Sequence, residues 1–193
     1  MKTFELNGTL RNEYGKKANK ALRKQELIPC NIYGCGENIT FTVTAADARK
    51  LIYTPDTLVV ALTIGETKKM AVVKEMQFHP VSGVCFHIDF LEVNDKKPVT
   101  VEIPVSLTGH AEGVKAGGKL SMEMRKLKIN GIYTNIPERV VIDVTSLGLG
   151  KKLFVSDVVV ENCTVKSVKE AIVAQVKVTR NSAAEAAEGE AAE

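Results

Sequence analysis

Apolar and polar residues alternate with a period of two along several stretches of the chain, which predicts half-buried strands. Residues 3–10, Thr-Phe-Glu-Leu-Asn-Gly-Thr-Leu, show the pattern, as do Ile39–Val43 and Val84–Val93. In the last of these, Cys85, His87 and Asp89 fall on one face and Phe86, Ile88 and Phe90 on the other. The apolar set is expected in the core, with His87 and Asp89 outside. Leu58–Ile64 and Met70–Val73 predict a hairpin around Gly65-Glu66-Thr67, followed by a polar loop at Gln77–Gly83. Two short helices interrupt the strands. Lys16–Gln25 places Ala18, Ala21 and Leu22 on one face and Lys17, Lys20 and Lys24 on the other. Asp47–Tyr53 follows Thr44 as N-cap and turns Ala45, Ala46, Ala48, Leu51 and Ile52 inward. Between the helices Pro29 stops helical character, and Leu27–Gly34 reads as an apolar strand running into a Gly34-Cys35-Gly36 turn.

Asn94-Asp-Lys-Lys-Pro98 reads as a linker. Beyond it Val99–Leu107, Lys126–Ile132, Val140–Asp143 and Ala171–Val178 predict the strands of a second β-rich unit. Gly109–Gly118 is a glycine-rich loop of a length that is usually functional or mobile. Arg180–Glu193, rich in Ala and Glu without an apolar stripe, predicts a disordered or weakly helical tail. The expected organisation is therefore mainly β, with domains at 1–93 and 99–179, a linker at 94–98 and a tail at 180–193.

Composition refines this picture in only two places. The net charge of +3 is mildly basic, but the last thirteen residues hold four acids and no base, so the body is more basic than the whole. That charge is also concentrated: Arg11–Lys24 carries six basic side chains against the single acid Glu13. A local positive cluster on a structured frame, with Tyr14 and Tyr33 beside it, is the footprint of a phosphate-binding surface. His87, Asp89 and Gln77 add donors and acceptors suited to base edges or ribose hydroxyls. The first eight residues lack the apolar core of a signal peptide, and no run approaches the roughly 20 apolar residues of a membrane helix. A cytoplasmic protein with reduced thiols is expected.

Catalytic chemistry finds little support. The four cysteines, Cys30, Cys35, Cys85 and Cys163, form no CxxC pair, so a zinc-ribbon site is not expected. Cys85 and His87 share a strand face, yet such neighbours stand roughly 7 Å apart, too far for a direct hydrogen bond. Gly113–Gly118 lacks the Gly-Lys-Ser/Thr ending of a phosphate loop, and His79, His87 and His110 lie on three separate segments. No enzyme activity, cofactor or metal is expected.

Five pieces in order carry a resemblance: Arg11-x-x-x-Gly15-Lys16, Leu22-Arg23, Ile28-Pro29-x-x-Ile32-Tyr33-Gly34, Gln77-x-His79-Pro80 and His87-Ile88-Asp89-Phe90. Together they resemble the bacterial large-subunit ribosomal proteins of the L-twenty-five family, in the long form also called general stress protein CTC. The resemblance covers nearly the whole chain. It implies an N-terminal β-barrel that binds the loop E region of 5S ribosomal RNA from the minor-groove side, and a C-terminal β-domain found in longer members. By position it implies phosphate contacts from Arg11, Lys16, Lys20 and Arg23. Polar or packing contacts to riboses and bases would come from Asn19, Tyr33, Gln77, His87 and Asp89. The implied partners are 5S rRNA, the large subunit and neighbouring ribosomal proteins, without membrane or small-molecule substrate. Lys20, Ala21 and Asn31 depart from the family pattern, where arginine, a second basic residue and an apolar residue are usual. A second reading makes this an RNA-binding stress protein whose C-terminal unit is a protein-interaction module.

Overall fold

The computed structural model describes residues 2–34, 36 and 38–179. The expected tail at 180–193 and Cys35 of the glycine turn lie outside them. The chain forms two compact units, one running to Val101 and taking in Gly131–Glu138, the other made of Glu102–Asn130 and the chain from Arg139 onward.

In the first unit six strands close into a barrel: β1 (Thr3–Leu10), β2 (Leu27–Tyr33), β3 (Ile39–Thr44), β4 (Val59–Ile64), β5 (Thr67–Phe78) and β6 (Cys85–Glu92). Their order around it is β1-β3-β2-β6-β5-β4, with β1 parallel to β4 and β2 parallel to β6. Alternation sends Leu6, Ile32, Phe41, Leu62, Ile88 and Phe90 inside, each almost wholly removed from water. Burying each such side chain contributes about 1.5–3 kcal/mol. The rings of Phe41 and Phe90 meet at 5.7 Å between centroids near the middle of this core. Gly8 makes room for Phe41, since a Cβ there would lie 2.5 Å from its ring. The helix α2 (Ala45–Tyr53) packs on β1 and β3 through buried Ala48 and Leu51. Its first turn is closed by Thr44, whose hydroxyl accepts from the Asp47 N–H at 3.1 Å.

The period-two reading fails where the ladder is irregular. β5 does not stop at Val73 but runs to Phe78, so Gln77 is a strand residue and the loop begins at His79. The β5–β6 register slips twice. Val73 and Glu75 face Phe90 and Asp89, leaving Lys74 as an extra residue; Gln77 and Phe78 face His87 and Cys85, leaving Phe86 as an extra residue. These are β-bulges, which re-aim the side chains beyond them. As a result Cys85 is buried and Phe86 is turned out, the reverse of the expected assignment. Ala21 and Ala46, expected on inner helix faces, are exposed.

Among the described residues two further small sheets lie mostly within the second unit. β10 (Val140–Asp143), β7 (Val99–Thr108), β9 (Lys126–Gly131) and β12 (Thr164–Val165) form one in that order. β11 (Lys152–Phe154), β13 (Ile172–Lys177) and β8 (Lys119–Met122) form the other. β7, β9, β10 and β13 match the sequence pattern; β11 and β12 have three and two residues, too few for alternation to register, and β8 has four. The glycine-rich segment Gly109–Gly118 contains the short helix α3 (Glu112–Lys115), where Gly113 is buried and donates its N–H to the Leu147 carbonyl at 2.9 Å. A Cβ at Gly113 would lie 2.5 Å from the backbone of Gly148, so the glycine is there for close approach.

Candidate nucleic-acid interface

The basic segment folds as α1 (Lys16–Lys24), which begins after Gly15 at φ +103° and is capped by Gln25, with Glu26 next at φ +59°. Its first turn has no acid and its last turn has Arg23 and Lys24, which suit the negative end of the helix dipole. None of its residues is fully buried. Ala18, Asn19, Leu22 and Arg23 are half-buried against the barrel, while Lys16, Lys17, Lys20 and Lys24 stand in solvent. The helix contacts β2, so its charge lies along one side of that strand.

Arg11 and Arg23 hold this helix in place from either end. Arg11 donates from Nη2 to Asn19 Oδ1 at 2.8 Å and from Nε to the Glu13 carbonyl at 3.2 Å. Its guanidinium lies 5.4 Å from the centre of the Tyr14 ring, and the Tyr14 hydroxyl lies 3.1 Å from Thr40 Oγ1. Arg23 reaches β6, donating from Nε and Nη2 to the Phe86 carbonyl at 3.4 and 3.2 Å. It also covers the Phe86 ring at 4.5 Å. Both arginines therefore have structural partners besides any phosphate they meet, which the sequence pattern alone does not reveal.

Beside the helix the outer faces of β2, β6 and β5 form a polar row. Asn31 pairs with Asp89, Asp89 with Glu75, and His87 with Gln77. His87 Nδ1 lies 3.4 Å from Asp89 Oδ1, each side chain 22% exposed. Tyr33 ends β2 in the same row; partial burial, then the charges of Asp89 and Glu75, push its phenol up from the ordinary value. The phenol is thus protonated at neutral pH and remains a donor. Asn31, unusual in an apolar strand, is half-exposed at an outward position, where a polar residue costs little.

All nine residues singled out from the sequence belong to the first unit, and the structure links most of them. Arg11 bonds Asn19, Arg23 joins α1 to β6, and His87, Asp89, Gln77 and Tyr33 share the sheet face. Lys16 and Lys20 lie exposed on the helix. Two members of the surface were missed. Glu75 is visible once β5 is extended, because it alternates with Gln77; Phe86 has no such signal, since a bulge obeys no period. The paired charges divide the surface, cations on α1 and carboxylates on the sheet.

Burial pushes the Cys30 thiol up, and the Cys85 thiol likewise, with Cys85 Sγ directed to the His87 carbonyl at 3.6 Å. Among the described residues no three His, Cys, Asp or Glu side chains are gathered to hold a metal, and no helix is long and apolar enough to cross a membrane.

Comparison with known proteins matches residues 6–90 to the Ribosomal L25p family and residues 98–180 to the C-terminal domain of Ribosomal protein TL5. The Large ribosomal subunit protein bL25 of Porphyromonas gingivalis is 53% identical over 182 residues, covering 93% of this chain and 95% of that protein. The protein of the same name from Azobacteroides pseudotrichonymphae is 51% identical over 181 residues, covering 93% and 96%. That of Bacteroides thetaiotaomicron is 44% identical over 185 residues, covering 93% and 94%.

Proposed function

Because the chain belongs to the Ribosomal L25p family, in its long two-domain form, we propose that its barrel unit binds the loop E region of 5S rRNA. The protein is a structural, non-enzymatic component of the large ribosomal subunit, and the ribosome of the cytoplasm is its place. The observation that supports 5S rRNA is the joining of a cationic helix to a polar sheet face by Arg23. A-form RNA hides its bases in a deep major groove and offers phosphates, 2′-hydroxyls and base edges across the shallow one. Lysines on α1 suit the phosphates. Tyr33, Gln77, His87 and Asp89 on the sheet suit the groove floor between them.

Nuclease footprinting of the full chain on a 5S rRNA transcript tests this reading. Protection of loop E on its shallow-groove side is expected. Protection elsewhere, or none, overturns it. The second unit is assigned to neighbouring ribosomal proteins, a reading supported by the open edge of its larger sheet, where Val141 of β10 is exposed.

A further inference from the structure

Arg23 is held on one edge and one face, and both grips come from a single residue that lies outside the expected RNA-contacting set. The bulge in β6 gives Phe86 two outward functions. Its carbonyl accepts from Arg23 Nε and Nη2 at 3.4 and 3.2 Å, and its ring lies under the guanidinium at 4.5 Å. The ring is itself braced from the loop after β5. His79 meets it edge-on at 5.1 Å, and His79 Nδ1 accepts from the Val81 and Ser82 N–H groups at 3.2 and 3.1 Å.

A guanidinium has two edges able to form paired hydrogen bonds: the side edge, Nε with one Nη, and the end edge between the two Nη atoms. Here the side edge is occupied by the Phe86 carbonyl. The end edge is left, with one parallel N–H from each Nη, the fork that fits two phosphate oxygens. An arginine on a free stem would have to give up its rotamer freedom on binding; this one has already lost it in the folded protein.

We propose that Phe86, braced by His79, is a positioning residue for RNA binding: it aims the end edge of Arg23 at a backbone phosphate and touches no RNA itself. The inference rests on the proposed 5S rRNA function, and its test has one arm that does not depend on that function. In the full chain, the Arg23 side-chain Nε–H resonance should be slow to exchange and displaced by the Phe86 ring. Phe86→Leu, which keeps the carbonyl and most of the bulk, should remove the ring's displacement and return the signal to an ordinary position. Phe86→Tyr should preserve it.

The second arm is a double-mutant cycle in affinity for a 5S rRNA transcript. Phe86→Leu should weaken binding by about three- to tenfold, the range expected for loss of a partly desolvated cation–π contact. Phe86→Tyr should restore affinity. In an Arg23→Ala background Phe86→Leu should have no further effect, because there is nothing left to aim. Independent, additive losses would overturn the proposal, as would an Arg23 resonance indifferent to Phe86→Leu. If the resonance behaves as expected while the wild type fails to bind 5S rRNA, the RNA reading falls and the Phe86–Arg23 clamp stands.

Discussion

Replacing Lys16 and Lys20 by alanine should separate binding from folding. Both ammonium groups are exposed on α1, and surface substitutions of that kind change stability by no more than about 0.5 kcal/mol. Their effect on RNA affinity should be visible mainly through salt. Each phosphate neutralised by a protein cation contributes roughly 0.7–0.9 to the slope of log affinity against log salt. Raising KCl fourfold, from about 50 to 200 mM, therefore weakens binding by about threefold for each such contact. Losing one lysine should shrink the salt-induced loss by about that factor, and losing both should shrink it by about ninefold. The assay is a titration of a 5S rRNA transcript at several KCl concentrations, paired with thermal melts of the same proteins. Arg23→Ala is the contrasting case. It removes charge-assisted hydrogen bonds and a cation–π contact inside the protein, so the melting temperature should fall together with the salt slope. A double lysine variant whose salt slope equals that of the wild type would refute the assignment of α1 to phosphate. So would a pair of lysine substitutions that melt the protein as much as Arg23→Ala does.

Glu26→Gly should stabilise the barrel by up to about 1 kcal/mol, because residue 26 follows the cap of α1 at φ +59°, a conformation that costs a residue with a Cβ more than it costs glycine; denaturant unfolding with an unchanged midpoint or a lower one would contradict this. In the second unit, Glu123 accepts from Lys177 Nζ, Gln175 Nε2 and Ser121 Oγ, and these bonds, led by that from Lys177, hold its carboxyl down at about 2 from an ordinary 4.5. A depressed folded-state value means that its stabilisation is present above about 4.5 and is lost as pH falls towards 2, so Glu123→Gln should flatten the acid side of a melting-temperature profile by lowering the neutral-pH melting temperature, with the value near pH 2 nearly untouched.

The strands that could be read in advance are those where one face meets core and the other water along an uninterrupted ladder, as in β1. There alternation is the direct record of burial. The reading broke at β5 and β6 for one physical reason. A bulge adds a residue without adding a rung, so the chain beyond it changes face while its composition stays the same. Phe86 was therefore assigned to the core and Cys85 to the surface, and the end of β5 to a loop. The candidate surface was more legible than the ladder beneath it, since charge on a short helix needs only a period of 3.6 to be grouped. What remained hidden was how its arginines are used. Hydrogen bonds from Arg11 to Asn19 and from Arg23 to Phe86 span 8 and 63 residues, and only the second depends on where the barrel closes. In the second unit the helix within Gly109–Gly118 was hidden for a different reason: glycine permits close packing as well as motion, and Gly113 packs against Gly148.

The acids on the sheet face give the surface a direction. Glu75 and Asp89 stand directly opposite one another across β5 and β6, an arrangement that is unfavourable for folding because like charges repel. His87 beside Asp89 offsets part of it, at 3.4 Å. In a polyanion site two carboxylates also repel phosphate, so they weaken any docking that lays the RNA backbone over the sheet. They are compatible with groups that donate: a ribose 2′-hydroxyl, or the exocyclic amino group that guanine presents in the shallow groove. On the proposed function, with the lysines of α1 on one side and these acceptors on the other, RNA backbone would meet helix and groove floor would meet sheet in one orientation only. A uniformly basic barrel would hold RNA more strongly and in more ways; dividing the charge gives up attraction and gains register, which is what a component fixed at one place in an assembly requires.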